Sequence, residues 1–353
     1  MSHAKPLPVF SAALTGRKPH DSIFSEDPVE YKCIISRLRK GGSQVNILYY
    51  ADTRRGTVDS LRAANLQSIM TELLGNGEQT KLDLVRSTGL SMSTVSDCMN
   101  RLRCAQLLDM TGIGSSSGGR KPMNYAIRAD YASLIGVYAN AASMQVSLAD
   151  MTGREIHYRD VRPSGEKPLH TLYHAIETGM EAAGNRIAAI GIGCEGVIDP
   201  MQGIVISDPT FAWSSVHLKE LVERRFGVQT FVDHGANAVC LHEQLIGPAR
   251  SLENFVCALS RFPECAVAVV EGRQLRGSGF LAGRGAWDTG MLTSFMRFAD
   301  IHVLLTDRED LEIDCAHIAP TGAYDNVALA CCLMAEARWF SSIYDLSKGD
   351  NNP

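Results

Sequence analysis

Between Leu66 and Arg128 the sequence leaves little freedom of local structure. Leu66, Ile69, Met70, Leu73 and Leu74 share one face of a helix, and Asn76-Gly77 ends it. The spacing predicts a second helix from Thr80 to Thr88 that buries Leu82 and Val85. Gly89-Leu90-Ser91 then makes a tight turn, with glycine supplying the permissive backbone and Ser91 an N-cap. A third helix, Met92 to about Cys104, sets Val95, Cys98, Met99 and Leu102 on its inner face. Ser93, Thr94, Asp97, Asn100 and Arg101 fall on the outer face. Two short helices across a glycine turn, the second with a polar outer face, form a helix-turn-helix. Such an outer face can enter a major groove, where Asn and Arg pair with base edges and Ser and Thr reach bases or phosphates.

The segment after the third helix points the same way. Leu107 to Thr111 and Met123 to Arg128 are expected strands, joined by a glycine-rich stretch that includes Gly118-Gly119-Arg120-Lys121. Two strands around a small, basic tip make a wing, and Arg120 and Lys121 suit a narrow, electronegative minor groove. Ser91, Ser93, Thr94, Asp97, Asn100, Arg101, Arg120 and Lys121 are therefore the expected DNA-contacting residues.

Charge is distributed unevenly over the 353 residues, whose net charge is −5. Residues 1–60 carry 9 Lys+Arg against 6 Asp+Glu, residues 61–130 carry 8 against 6, and residues 131–353 carry 17 against 27. A mildly basic front on an acidic body suits a polyanion-binding module joined to one that does not bind polyanions. No apolar run is long enough to span a bilayer, and the N-terminus lacks a signal-peptide core, so a cytoplasmic protein without membrane partners is expected. The 10 cysteines show no Cys-x-x-Cys pair. Reduced, buried thiols and no metal site are expected.

Residues 1–58 read as a proline-broken, poorly ordered or basic extension, with a short basic helix from Tyr31 to Lys40 and a strand from Gln44 to Tyr50 as its only ordered candidates. Residues 59–130 form the expected DNA-binding domain. From 131 to 353 the pattern becomes α/β. Leu134–Ala139, Met144–Asp150 and Arg154–Val161 are a three-strand meander, followed by a helix from about Leu169 to Ala183 and an apolar strand from Ile187 to Gly193. Two short strands come next, then helix His217–Phe226, strand Val228–Val232 and helix Ala236–Ile246. A new hairpin, Leu252–Leu259 with Cys265–Val270, restarts the strand unit. A strand from Leu311 to Ala319 and a helix from Asp325 to Ile343 close the chain. One strand–strand–strand–helix unit followed by a second start is the pattern of a duplicated, two-lobe α/β fold with a ligand between its lobes.

Several of these segments resemble, in order, the ROK family (repressors, open reading frames, sugar kinases), in its repressor branch. They are the helix-turn-helix, Ser117-Gly118-Gly119-Arg120-Lys121-Pro122, Gly191 to Asp199, Asp208 to Trp213, Phe231 to Ala238, and Gly272 to Gly277. The resemblance implies an actin-like, sugar-kinase-like two-lobe domain behind a winged helix-turn-helix. It also implies a sugar or sugar derivative in the cleft and a homodimer or homotetramer. The chain departs from the family's kinases at three places. The first phosphate loop reads Tyr138-Ala139-Asn140-Ala141-Ala142-Ser143, without the glycine or acid that phosphate and Mg²⁺ need. The second reads Ser260-Arg261-Phe262-Pro263-Glu264-Cys265, and the catalytic-base position is Gly235. The family's zinc and sugar motif is replaced by Gly283-Arg284-Gly285-Ala286-Trp287, and the second lobe looks shortened after it.

The sequence thus predicts a DNA-binding transcriptional regulator and not an enzyme, with no catalytic residue, no metal and no cofactor. A repressor of carbohydrate-related genes is expected, with Glu195, His234, Asn237, Arg284 and Trp287 around its effector. That effector is left open between a sugar, an acidic ligand and none at all. An effector-independent regulator and, last, a sugar kinase are the alternatives.

Overall fold

The computed structural model describes residues 58–113, 122–163, 167–285, 287–320 and 325–346. The elements expected at Tyr31–Lys40 and Gln44–Tyr50, and the basic tip with Arg120 and Lys121, lie outside these residues.

Helix α1 (Val58–Asn76) buries Leu66, Ile69, Met70 and Leu73 and stops at Gly77, whose φ of +68° favours glycine. Strand β1 (Gln79–Thr80) leads into α2 (Lys81–Thr88). A capping box opens α2: the Thr80 hydroxyl accepts from the Asp83 N–H at 3.2 Å, and the Asp83 carboxylate accepts from the Thr80 N–H at 3.1 Å. Hydrogen bonds from Thr80, side chain first and then backbone, hold the Asp83 carboxyl below its ordinary pKa. Here the sequence expectation needs correcting. Leu84 is the buried leucine of α2, while Leu82 is 45% exposed and Val85 half-buried. The helix turns Leu82 about 200° from Leu84, so the two cannot share a face, and the short segment holds too few apolar residues to fix the phase.

Gly89 (φ +64°) joins α2 to α3 (Met92–Cys104), which buries Val95, Cys98, Met99 and Leu102. Strands β2 (Leu108–Ile113) and β3 (Met123–Ile127) are antiparallel, and β1 adds to the other edge of β3.

The remainder is built on two five-stranded sheets of one topology. In the first, β4 (Ser133–Ala139), β5 (Met144–Asp150) and β6 (Glu155–Val161) are an antiparallel meander. After α4 (Pro168–Ala182), β7 (Ile187–Cys194) pairs parallel to β4. A small antiparallel sheet of β8 (Val197–Asp199), β9 (Ile204–Asp208) and β10 (Trp213–Val216) follows, and then α5 (Leu218–Phe226). Next, β11 (Thr230–His234) completes the first sheet parallel to β7. Helix α6 (Gly235–Leu245) leads to the second sheet: β12 (Phe255–Ala258), β13 (Ala266–Val270) and β14 (Arg273–Gln274) again form a meander. After α7 (Thr289–Phe298), β15 (Val303–Leu305) and β16 (Ala316–Ile318) pair parallel beside β12. The duplication expected from the sequence is present, but the second copy is the lesser one. Its strands have 2 to 5 residues against 5 to 8 in the first, and the strand expected over Leu311–Ala319 is reduced to β16.

Helix α8 (Val327–Leu346) returns to cover the first sheet. Its backbone lies directly on Gly136 and Gly191, where a Cβ would collide with the Ala328 and Cys331 carbonyls. Helix α4 covers the opposite face through Leu172, Ala175 and Ile176, so every residue of β4 and β5 is buried. Every residue of α6 is buried as well. The turn after it, Pro248–Ser251, carries Arg250, which donates to Asn76 Oδ1 at 2.7 Å and pairs with Glu72 at 3.5 Å on α1. Among the described residues no helix is long and apolar enough to cross a membrane. The nine described cysteines are free; Cys104 is exposed and Cys315 half-buried, unlike the other seven.

Candidate functional site

The candidate ligand site grows out of strand ends. Parallel β4, β7 and β11 stop at one edge of the first sheet, with Tyr138 opposite Gly193 and Cys194 opposite His234. The next residues out therefore converge there, in the position where open α/β sheets bind ligands. The Tyr138 hydroxyl donates to Glu195 Oε1 at 2.5 Å. Burial, and after it the hydrogen bond to Glu195, keep that phenol protonated. His234 caps α6: its Nδ1 accepts from the Ala236 N–H at 3.1 Å, so its Nε2 is the protonated nitrogen and donates to the Glu195 carbonyl at 3.1 Å. Burial, and then the nearby Arg284 charge, push its pKa down to about 3. The imidazole is a neutral donor.

Asp233 anchors this edge from beneath. It is 1% exposed and accepts from the His234 N–H at 2.7 Å, Asn237 Nδ2 at 2.8 Å and Arg276 Nη1 at 2.6 Å. Arg284, on the segment entering from the second lobe, donates to the Gly196 carbonyl. A cavity of about 430 Å³ lies between the lobes, lined among others by Glu195, His234, Arg261, Phe262, Glu264 and Arg284.

The structure thus brings Glu195, His234 and Arg284 to one cavity. Asn237 is 6% exposed, spends its amide on Asp233, and stands behind the wall. Trp287 faces an adjoining apolar cavity of about 260 Å³, which Arg284 also borders, with the Arg308 guanidinium 5.0 Å from its ring. Tyr138, Asp233, Arg261, Phe262 and Arg276 also shape this site. The signal of Tyr138, Arg261 and Phe262 in the sequence was the pair of altered phosphate motifs, and that of Asp233 and Arg276 the segments Phe231 to Ala238 and Gly272 to Gly277.

The space beside Gly235 is filled. A Cβ on Gly235 would lie 2.8 Å from Tyr138 Cε2 and 3.2 Å from the Phe262 ring. The two rings meet edge to face at 6.1 Å, and the Arg261 guanidinium lies 5.4 Å over Tyr138. Tyr138 and Phe262, from two segments far apart in the chain, occupy the space that a side chain at position 235 would need. Among the described residues no cluster of His, Cys, Asp or Glu is arranged to hold a metal.

At the other candidate surface, Ser93, Asp97, Asn100 and Arg101 are exposed along α3 and Thr94 is half-buried. Ser91 caps the helix, accepting from the Thr94 N–H at 3.1 Å, and Arg101 donates to Asp97 at 3.0 Å.

A duplicated meander-plus-parallel-pair lobe, with a polar cavity at the strand ends, is the two-lobe α/β fold of the sugar-kinase type. The model of the ROK family matches residues 134–262. Of the solved structures, a ROK family transcriptional regulator described as a homolog of the Escherichia coli MLC protein shares the fold, with a TM-score of 0.63 at 13% identity over 81% of this chain and 98% of that one. The xylose repressor of Caldicellulosiruptor bescii is 25% identical over 230 residues, 63% of this chain and 58% of that protein. A glucokinase of Streptomyces coelicolor is 30% identical over 125 residues, 35% of this chain and 39% of that protein. The chain spans about half the length of the repressors it matches, from 49% to 58%.

Proposed function

We propose that this chain is a sequence-specific DNA-binding regulator, a repressor of carbohydrate-related genes, whose cleft receives a sugar or sugar derivative. Residues 59–130 act as a winged helix-turn-helix, with α3 entering a major groove and the tip at Arg120 and Lys121 the adjacent minor groove. Residues 131–353 bind the effector and associate as a dimer or tetramer. The observation that carries the non-enzymatic part is the aromatic filling at Gly235 by Tyr138 and Phe262. Phosphoryl transfer needs a base, a metal ligand and phosphate-wrapping backbone, and a site closed by two rings supplies none of them. The repressor relatives support the DNA-binding part.

In the cleft, Glu195 offers its remaining acceptor capacity, neutral His234 the walls of its ring, and Arg284 and Arg261 positive charge. Asn237 and Trp287 act one layer out, the first by holding Asp233 and the second by packing beside Arg284. The test is selection of bound DNA from a random pool, followed by titration of the selected site with sugars, amino sugars and sugar acids. A pseudo-palindromic site released by one of these compounds is expected. Failure to enrich any sequence would overturn the DNA-binding reading; enrichment with no effect of any compound would leave an effector-independent regulator.

A further inference from the structure

A second polar cavity, of about 490 Å³, lies on the first lobe and shares no lining residue with the cleft. Its floor is α4, where His170 and His174 stand one turn apart on the same face. Arg162, just beyond β6, and Arg225, in the last turn of α5, supply its walls.

Arg225 is pre-set. Glu177 accepts from its Nη2 at 2.6 Å, and its guanidinium lies 4.8 Å over the Tyr173 ring. Arg162 makes no ion pair with a described residue, and neither imidazole donates or accepts a hydrogen bond among them. Thr171 also lines the cavity. It is 4% exposed, and its hydroxyl is buried without a hydrogen-bond partner. A buried, unpartnered hydroxyl is costly unless something meets it.

Charge decides what could meet it. Residues 131–353 carry 17 basic against 27 acidic side chains, yet among the described residues this cavity gathers two arginines and two histidines around one carboxylate. That carboxylate, Glu177, is already engaged by Arg225. A metal cation is disfavoured by the arginines, and no metal-holding cluster exists among the described residues. Guanidinium forks and a hydroxyl match the oxygens of a phosphoryl group. We propose that this cavity binds a small phosphoryl anion, at a site separate from the effector cleft and independent of what that cleft holds. Arg162 and Arg225 grip its oxygens, the Thr171 hydroxyl donates to it, and His170 and His174 flank it. The anion is either free phosphate or the head of a phosphomonoester, for whose remainder the volume leaves space.

The test is calorimetry and thermal melting of the full chain with sodium phosphate, glycerol phosphate and, at matched ionic strength, sodium chloride. The variants are Arg162→Ala, His170→Ala with His174→Ala, Thr171→Val, and His234→Ala as a cleft control. Both phosphoryl compounds are expected to raise Tm above the chloride reference. Their affinity should fall at least tenfold in Arg162→Ala and in the histidine double variant, fall in Thr171→Val, and be unchanged in His234→Ala. Tighter binding of glycerol phosphate than of phosphate assigns a phosphomonoester, and equal binding assigns the free ion. No shift beyond chloride, wild-type affinity in Arg162→Ala, or loss of binding in His234→Ala alone would overturn the proposal.

Discussion

Replacing Gly235 by alanine measures how tightly the space beside it is closed. The added methyl would lie 2.8 Å from Tyr138 Cε2 and 3.2 Å from Phe262, inside ordinary van der Waals contact. Overpacking of this kind costs about 1–3 kcal/mol. Removing glycine from the first turn of α6 returns at most about 1 kcal/mol of helix propensity. A net loss of about 1–2 kcal/mol is expected, and for a chain of this size each kcal/mol lowers Tm by roughly 2–4 °C. The cause can be isolated with Tyr138→Ala. That change alone should cost about 3–5 kcal/mol, as deletion of a buried aromatic ring does. In its background Gly235→Ala should cost much less, because the nearer of the two rings is gone. The pair therefore carries a coupling of about 1–2 kcal/mol, readable by denaturant unfolding of all four proteins. Equal cost in both backgrounds, or a Gly235→Ala protein as stable as wild type, would refute the steric argument.

Other outcomes follow from the same geometry. The His234 imidazole stays neutral in the fold down to about pH 3, whereas an unfolded histidine takes its proton near 6.5. The unfolded chain therefore binds more protons between those values, so this contribution to stability is full above about pH 6.5. It falls by at most about 1.4 kcal/mol per pH unit below that; His234→Gln should flatten the slope between pH 7 and 5, and parallel profiles would count against the buried neutral ring. Gly235→Asp should release no ADP from ATP with any sugar, since the rings and not the missing acid alone close the site; sugar-dependent ADP release would contradict this. Arg101→Ala should weaken operator binding by about 1–3 kcal/mol and relax one base position, while Arg120→Ala should weaken binding to A·T-rich flanks; gel shifts at wild-type affinity for both would remove this DNA interface. Arg250→Ala should lower stability by about 1–2 kcal/mol through its partly buried contacts with Asn76 and Glu72, and an unchanged melting profile would show the clamp to be idle.

Periodicity carried the long elements. The ladder from Leu66 to Leu73 and the inner face from Val95 to Leu102 each repeat enough apolar positions to fix a helical phase, and both are buried as read. In α2 the apolar residues are Leu82, Leu84 and Val85, which fit two faces equally well, and the buried one was missed. The duplication was legible because the meander of the first lobe starts again at the hairpin of β12 and β13, but β14, β15 and β16 are too short to leave a pattern. Within the site, Glu195, His234 and Arg284 could be placed because they terminate or follow recognisable segments. Tyr138 and Phe262 could not be seen as partners, because 124 residues separate the two positions and only the fold sets their rings 6.1 Å apart. Trp287 sits in sequence beside Arg284, yet Arg284 divides two cavities and the indole falls on the far side.

Helix α6 has a thermodynamic consequence for a regulator. One end is capped by His234 at the cleft, and the other leads through Pro248 to Arg250 on α1. A fully buried helix cannot yield within itself, so displacement at the cap reaches the clamp. On the proposed function, whatever factor an effector takes from DNA affinity, the operator must take from effector affinity. A clamp worth about 1–2 kcal/mol limits that factor to roughly five- to thirtyfold through this route. Such a protein would grade its occupancy with effector concentration, and a chromosomal operator in excess would make it a poorer sugar binder.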